Sequence, residues 1–337
     1  MKKLILLIVF ALAGLLGGTL YHTWNQWGTP SPNTAPVVVV IPLGSGPAAI
    51  GRILQDSGLI ASPRSFRWYC RLTAKGHSLK AGAFEIPPGS TIRQMVDLII
   101  EGRAVASHVT IPEGRASWEI FAILKAVLPR LDSATWDSLV HDSVFTAELA
   151  VPASSLEGWL YPNTYSFYYD ATERDVISRM VNTGKAAIAT LDTGAGSMYS
   201  TLGNWNRVMT LASIVEEETG KPGERAHVAS VFHNRLRIGM PLGADPTVRY
   251  IFRNLTGPIY KSQLMCTSPY NTRRYAGLPP GPISNPGLNA IDAALHPLKT
   301  KDLFFVARDD GSGMHFFAET LEQHNRFKIL ARKNRKE

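Results

Sequence analysis

Three consecutive glutamates, Glu216 to Glu218, end an apolar segment whose residue spacing predicts a helix. On a helical wheel, Glu218 falls within the apolar stripe of this helix, whereas Glu216 and Glu217 are expected to face solvent. Burial disfavours the charged form of a carboxyl group and raises its pKa, and a carboxyl that stays protonated near neutral pH can act as a general acid. The alternative is a buried glutamate paired with an arginine, for which Arg225 and Arg235 are available.

A second carboxylate stands in an aromatic-rich segment, in which Trp159, Tyr161 and Tyr165 follow Glu157. Aromatic rings beside a carboxylate are typical of a sugar-binding cleft, because flat apolar faces can pack on a pyranose ring while polar groups bind its hydroxyls. The alternative is an ordinary corner of the core, in which Glu157 makes a structural hydrogen bond. Composition alone favours this second interpretation.

Segments rich in proline and glycine occupy much of the chain between Met240 and Gly287 and are predicted to form loops. One of them contains Asp245, and another contains Tyr270 and Asn271. Function is often concentrated in loops of this kind.

Several other kinds of chemistry are not supported by the sequence. It contains no His-Glu-x-x-His motif, no Gly-x-Ser-x-Gly elbow, no phosphate loop and no dinucleotide fingerprint. Its two cysteines, Cys70 and Cys266, lack neighbours at the spacing of metal ligands. We therefore expect neither a metal nor a cofactor, while a disulfide between the two cysteines stays open.

Three segments share one pattern that predicts a strand, a tight turn and a helix. Each is an extended apolar stretch that ends in Ile-Pro-x-Gly and is followed by apolar residues at helical spacing. The proline favours extended structure at the preceding isoleucine, and the glycine permits a tight turn. The strands are expected at Val37–Ile41, Ala83–Ile86 and His108–Ile111, and Ser90 and Thr91 can cap the second helix. Such units resemble the LysM-like modules that bind cell-wall glycan, although a purely structural role is equally open.

Composition and charge narrow the class of protein further. The 337 residues suggest about two domains, and 45% apolar residues argue against disorder. The formal net charge of +8 indicates an acidic partner. Lys2 and Lys3 precede an uncharged apolar run, Leu4–Tyr21, which is long enough to cross a membrane. A cleaved signal peptide is the alternative, but its apolar region is usually shorter than this run. The basic flank predicts export of everything that follows, which counts against a nucleic-acid partner.

Six blocks of sequence together resemble one known family. They are Glu157–Tyr165, Ala212–Thr219, Val231–Leu236, Asp245–Val248, Tyr270–Thr272 and Gly277–Ile283. In this order, and with the apolar N-terminal segment, the chain resembles the YceG-like family of endolytic murein transglycosylases. It departs from the family at Arg273, where the family has a tyrosine.

The resemblance implies a peptidoglycan lytic transglycosylase, a carbon–oxygen lyase that cleaves the MurNAc-β-1,4-GlcNAc bond within glycan strands and leaves 1,6-anhydro-MurNAc ends. It implies Glu218 as the catalytic residue. Glu157, Asp245, Tyr270 and Asn271 are expected to position the substrate. The implied partners are peptidoglycan strands, the cytoplasmic (inner) membrane through a single N-terminal helix, and penicillin-binding synthases beside which strands are terminated; the body would lie in the periplasm.

The expected fold is α+β, in five parts. They are a cytoplasmic tip and transmembrane anchor (1–24), a linker (25–36), a small LysM-like α+β module (37–105), a larger and mostly helical catalytic domain with a small sheet and long loops (106–330), and a basic tail (331–337). Two other functions remain open. A lysozyme-like hydrolase would need Asp245 or Glu157 as a second carboxylate. In a non-catalytic wall-binding scaffold, Glu218 would merely be ion-paired.

Overall fold

A computed structural model describes residues 24–102, 106–168, 171–253 and 255–335 of the chain. Helices and small two-stranded sheets make up these residues, so the predicted α+β class is confirmed. The chain forms two compact units, one comprising residues up to His108 together with Ser166–Ala171, the other comprising Val109–Tyr165 and the residues from Thr172 onward. The predicted membrane anchor lies outside the described residues. Within them, no helix combines the length and the apolar character that a membrane span requires.

The first unit is built on an antiparallel pair of strands, β1 (Val37–Ile41) and β2 (Gly82–Ile86), with Val37 opposite Ile86 and Ile41 opposite Gly82. Two helices connect these strands and a third follows them. They are α1 (Pro47–Asp56), α2 (Pro63–Leu72) and α3 (Ile92–Glu101). The side chains of Phe66 and Phe84 are fully buried at the centre of this unit.

The three predicted Ile-Pro-x-Gly turns follow three strands, of which the last is β3 (Ala106–Thr110). Gly44, Gly89 and Gly114 have φ angles of 77°, 69° and 77°, a backbone conformation that side chains with a Cβ rarely adopt. Of the two predicted caps, Thr91 is the one that starts α3, through a reciprocal capping box with Gln94. The predicted strand–turn–helix pattern is therefore confirmed in all three places.

The second unit is mostly helical. Its helices are α4 (Ser117–Val127), α5 (Ser133–Val140), α6 (Ser143–Glu148), α7 (Glu173–Ile188), α8 (Tyr199–Leu202), α9 (Trp205–Glu218), α10 (Arg225–Arg237), α11 (Asp245–Ile251), α12 (Lys261–Leu264), α13 (Leu288–Leu295) and α14 (Leu321–Asn334). Strand β4 (Thr164–Tyr168) pairs with β3, and β5 (Phe304–Ala307) pairs antiparallel with β6 (His315–Ala318). Helix α9 packs against α10, α11 and α13 and forms the centre of the unit.

Three local expectations are corrected. The segment that begins at Asp245 is helix α11 rather than a loop, because Pro246 lies in its first turn, where proline is tolerated. Strand β4 forms in and just after the aromatic-rich segment that follows Glu157, where the sequence pattern predicted no strand. Residues 24–28 of the predicted anchor and linker are helical, and Trp27 packs on Tyr69 and donates a hydrogen bond to the carbonyl of Ser65 at 3.0 Å.

Candidate functional site

Helix α9 carries Glu218 at its last residue. The side chain of Asn204 caps the start of the helix by accepting from the backbone N–H of Arg207, and every residue from Val208 to Val215 is buried. The helix ends where Thr219 becomes extended, with its hydroxyl accepting from the N–H of Lys221 at 3.1 Å. A rigid, buried element therefore fixes the position of the Glu218 carboxyl.

The Glu218 carboxyl is enclosed by protein on most sides, yet it retains partial access to solvent. Within the described residues it forms no hydrogen bond and no ion pair. Burial, and secondarily the nearby Asp245, raise the pKa of Glu218 to about 8, against the opposing effect of Arg235 and Arg273. The predicted carboxyl on the inner face of the helix is thus present, and neither Arg225 nor Arg235 forms an ion pair with it.

The other two glutamates of α9 have different surroundings. Glu217 is exposed, as predicted. The expectation that Glu216 faces solvent is wrong, because its carboxylate pairs with Arg225 at 2.5 Å and accepts from the N–H of Gly287 at 3.0 Å. Arg225 also pairs with Glu113 at 3.2 Å. These contacts hold the end of α9 against the chain before α13.

Glu218 lies at the edge of a cavity of about 640 Å³, which we call the aromatic cavity. The rings of Trp118 and Tyr250 line it, with centroids 5.1 Å apart, and Tyr270 continues the row 5.1 Å from Tyr250. The guanidinium of Arg253 lies 4.4 Å from the centre of the Trp118 ring. This row offers flat apolar faces beside the carboxyl group.

Glu218 also lines a second cavity, of about 480 Å³, which we call the cationic cavity. Glu218 and Asp245 line both cavities. Asp245 is half exposed and pairs with Arg273 at 2.5 Å. Two of the predicted site residues, Glu218 and Asp245, are therefore brought together, and Tyr270 lies beside them in the aromatic row.

Two other predicted site residues are buried and line neither cavity. Glu157 is 2% exposed and accepts hydrogen bonds from the N–H and hydroxyl of Ser117, at 3.0 and 2.8 Å, and from the amide of Asn285 at 2.9 Å. Burial raises the pKa of Glu157 to about 7. Asn271 is fully buried and donates to the carbonyls of Leu264 and Cys266, both at 2.9 Å. Substrate positioning by Glu157 and Asn271 stays a prediction, and both side chains are held in buried hydrogen-bond networks.

Several residues of the site were not found from sequence. Trp118 fits the apolar spacing of α4, so nothing in the sequence distinguished its half-buried ring from a core residue. Tyr250 lies in the segment predicted as a loop, and the Asp-Pro dipeptide that starts α11 was the available clue to a helix. Both cysteines are free thiols, and among the described residues no group of His, Cys, Asp or Glu side chains is placed to hold a metal ion.

The candidate site therefore combines one carboxyl group without a described partner and two cavities that it borders, one of them with an aromatic wall. The profile of the YceG-like family matches residues 39–328. The chain belongs to the YceG-like family.

Relatives with known names are similar over most of the chain. An endolytic murein transglycosylase of Bacillus subtilis (strain 168) is 33% identical over 322 residues, which cover 89% of this chain and 86% of that protein. The endolytic murein transglycosylase of Streptococcus pneumoniae serotype 2 is 29% identical over 86% of this chain and 57% of its own length. A crystal structure of a yceG-like protein from Listeria monocytogenes, 32% identical, covers 87% of this chain and 99% of that chain with a TM-score of 0.60.

Proposed function

We propose that this protein is an endolytic peptidoglycan lytic transglycosylase, which cleaves the MurNAc-β-1,4-GlcNAc bond within glycan strands and leaves 1,6-anhydro-MurNAc ends. The observation that carries the proposal is Glu218, a carboxyl with a raised pKa and no described partner, at the junction of two cavities. The names of the B. subtilis and S. pneumoniae relatives support the same reaction.

One carboxyl group can perform both proton transfers of this reaction. Protonated Glu218 donates its proton to the glycosidic oxygen as the bond from that oxygen to C1 of MurNAc breaks. The C6 hydroxyl of the same MurNAc attacks C1, and the Glu218 carboxylate takes the proton of that hydroxyl. The acid is thereby restored, and no water enters the products.

The raised pKa suits Glu218 to the first step. At neutral pH a carboxyl with a pKa of about 8 is mostly protonated and can donate at once. Arg235 and Arg273 lie close enough to favour the carboxylate that forms during the reaction. The active site therefore needs no second carboxylate as nucleophile.

The aromatic row supports a role in holding sugar rings. Trp118 and Tyr250 line the aromatic cavity and would pack on pyranose faces, while Tyr270 would position its neighbour Tyr250. Asp245 lines both cavities and would bind sugar hydroxyls with its free oxygen. In this assignment Glu157 and Asn271 act indirectly, by fixing the segments from which the site is built.

A hydrolase of the lysozyme type is the second candidate, because Asp245 is a carboxylate beside Glu218. The ion pair of Asp245 with Arg273 argues against it, since a paired carboxylate is a weaker nucleophile or base. A scaffold without activity is the third. Such a scaffold would have Glu218 in an ion pair, whereas Glu218 has no ion-pair partner among the described residues.

We further propose that the protein acts outside the cytoplasm, anchored in the cytoplasmic membrane by its N-terminal segment, with residues 106–330 as the catalytic domain. The order strand, helix, helix, strand in the first unit supports a LysM-like, glycan-binding role for residues 37–105. Penicillin-binding synthases, which make the strands, are the proposed protein partners.

Digestion of purified peptidoglycan by the full-length chain in detergent tests the reaction. Mass spectrometry should find glycan fragments of several disaccharides that end in 1,6-anhydro-MurNAc, lighter by one water than hydrolytic fragments. Fragments with reducing ends would contradict the lyase and favour the hydrolase. Intact strands, with strands still bound to the protein, would favour the scaffold.

A further inference from the structure

The cationic cavity contains four basic side chains around Glu218 and Asp245. They are Arg235, Arg273, His324 and Lys328. Only part of this charge is cancelled. Asp245 neutralises Arg273 in their ion pair, whereas Glu218 carries little charge at neutral pH because its pKa is raised.

His324 adds no charge to the cavity at neutral pH. Burial, then the nearby Lys328 and Arg235, lower the pKa of its ring. The side chains of Arg235 and Lys328 therefore remain as two positive charges without a carboxylate partner among the described residues.

The Arg235 guanidinium is held in place beside the cavity. Its Nε donates to the carbonyl of Leu303 at 2.7 Å, and one Nη1 hydrogen binds the carbonyl of Leu242. The guanidinium has five N–H donors, so three are left without a described partner. Burial lowers the pKa of Arg235, which reflects the cost of keeping this cation poorly solvated. A fixed arginine with unused donors favours a carboxylate or phosphate ligand.

The aromatic cavity differs from the cationic cavity in its balance of acidic and basic side chains. Its Arg253 lies over the Trp118 ring, and its Arg249 donates to the carbonyls of Leu255 and Gly257. Four carboxyl residues line it, against these two arginines, so acidic side chains outnumber basic ones there. They are Glu119, Glu217, Glu218 and Asp245. An anionic group on an extended ligand is therefore favoured in the cationic cavity and not in the aromatic cavity.

We propose that the cationic cavity binds a carboxylate carried by the substrate strand next to the bond that is cleaved. The inference rests on the proposed function. Two sources have this chemistry, a carboxylate of the peptide stem and the free lactyl carboxylate of a MurNAc that has lost its stem. Arg235 and Lys328 bind this group and thereby set which way the strand runs past Glu218.

Binding to the full-length Glu218→Gln protein in detergent separates the sources. Labelled glycan strands are prepared in three forms: with peptide stems, without stems and so with free lactyl carboxylates, and with stems whose carboxylates are converted to methylamides. Carboxylated strands should bind about fivefold more tightly than methylamidated strands at low salt, as expected for an exposed ion pair, and less so at high salt. The better ligand of the first two forms identifies the source.

Lys328→Gln, in the same background, locates the site. It should weaken binding of carboxylated strands about threefold and reduce their advantage over methylamidated strands, of which Arg235 retains a part. Lys333→Gln is the matched control, because Lys333 is an exposed lysine of the same helix that does not line the cavity. It should change neither Kd.

Equal binding of carboxylated and methylamidated strands would overturn the inference, as would equal effects of the two lysine variants. Either result would leave the proposed function intact, provided that the wild-type protein releases anhydro ends. Failure of the proposed function would be recognised differently, by the absence of cleavage of any of the three forms.

Discussion

Glu157 and Glu218 are both enclosed carboxyl groups whose pKa is raised, to about 7 and about 8. Their surroundings are nevertheless opposite. Glu157 accepts three short hydrogen bonds from Ser117 and Asn285 and is sealed from solvent. Glu218 has no described hydrogen bond and borders two cavities. A raised pKa alone does not identify a functional carboxyl; unused hydrogen-bonding capacity beside a cavity does.

The largest expected effect is on activity. Glu218→Gln should lower the rate of anhydro-muropeptide release about a thousandfold, because an amide cannot donate or accept the required proton. Glu157→Gln should lose less than tenfold, since it keeps an oxygen for the Ser117 and Asn285 donors. Mass spectrometry of timed digests measures both, with circular dichroism to verify folding.

Glu217→Gln is the matched control for this experiment, as it makes the same chemical change one residue earlier in α9. It should also lose less than tenfold. A well-folded Glu157→Gln protein as inactive as Glu218→Gln would break the comparison between the two carboxyls.

For the free energy of unfolding, the larger effect is expected at Glu157 and the smaller one at Glu218. Glu157→Ala should lower the free energy of unfolding by about 3 kcal/mol, because it leaves the buried donors of Ser117 and Asn285 unpaired and opens a cavity. Glu218→Ala should cost less than about 1 kcal/mol, since no described hydrogen bond is lost. Urea denaturation of both variants gives the difference, and a larger loss for Glu218→Ala would contradict it.

The raised pKa of Glu218 also predicts a pH dependence of stability. A carboxyl with a higher pKa in the folded state stabilises the fold most below its unfolded pKa, and this contribution is lost as pH rises through the folded pKa of about 8. The Glu218→Gln variant does not lose stability in this way, because glutamine does not titrate. Between about pH 4.5 and pH 8, its advantage over the wild type should grow by about 2 kcal/mol, less than the full shift because the carboxyl is partly exposed.

Unfolding curves of the two proteins at several pH values measure this change. Glu157 titrates in both of them, so its effect cancels in the difference. A difference that stays constant with pH would show that Glu218 is not protonated in the folded protein.

The smallest expected effect concerns Arg273. Arg273→Gln removes a cation that favours the Glu218 carboxylate and frees Asp245, which opposes it, so the pKa of Glu218 should rise. The falling limb of the pH–activity profile should move up by about half a unit. Arg174→Gln, which removes an exposed arginine paired with Glu148 at 2.6 Å, should leave the profile unchanged. A downward shift for Arg273→Gln would contradict the electrostatic account.

The sequence predicted best what depends on neighbours along the chain. The three strand–turn–helix beginnings follow from Ile-Pro-x-Gly, because proline and glycine restrict the backbone locally. The inward position of Glu218 follows from the helical period of α9. The α+β class follows from the alternation of such segments.

Contacts between distant parts of the chain were not predictable in this way. Glu216 faces inward because Arg225 and Gly287 meet it there, 9 and 71 residues away in sequence. Asn271 lies in a loop whose composition is typical of ligand binding, yet its side-chain amide binds backbone carbonyls of that same loop. Periodicity gives the face of a helix but not the partner that a distant segment brings to it.

Because three glutamates follow one another in α9, the function of each depends on its rotational position around the helix. Successive helical residues are rotated by about 100°. Glu216 therefore meets a buried arginine, Glu217 lines only the aromatic cavity, and Glu218 lines both cavities. Loss of Val215 would leave two glutamates in the three positions and bring Thr219 to the position of the acid. The chain would keep every charged residue and still lack a proton donor at this position. The function of the site therefore depends on the rotational position of each residue around the helix and not on composition alone.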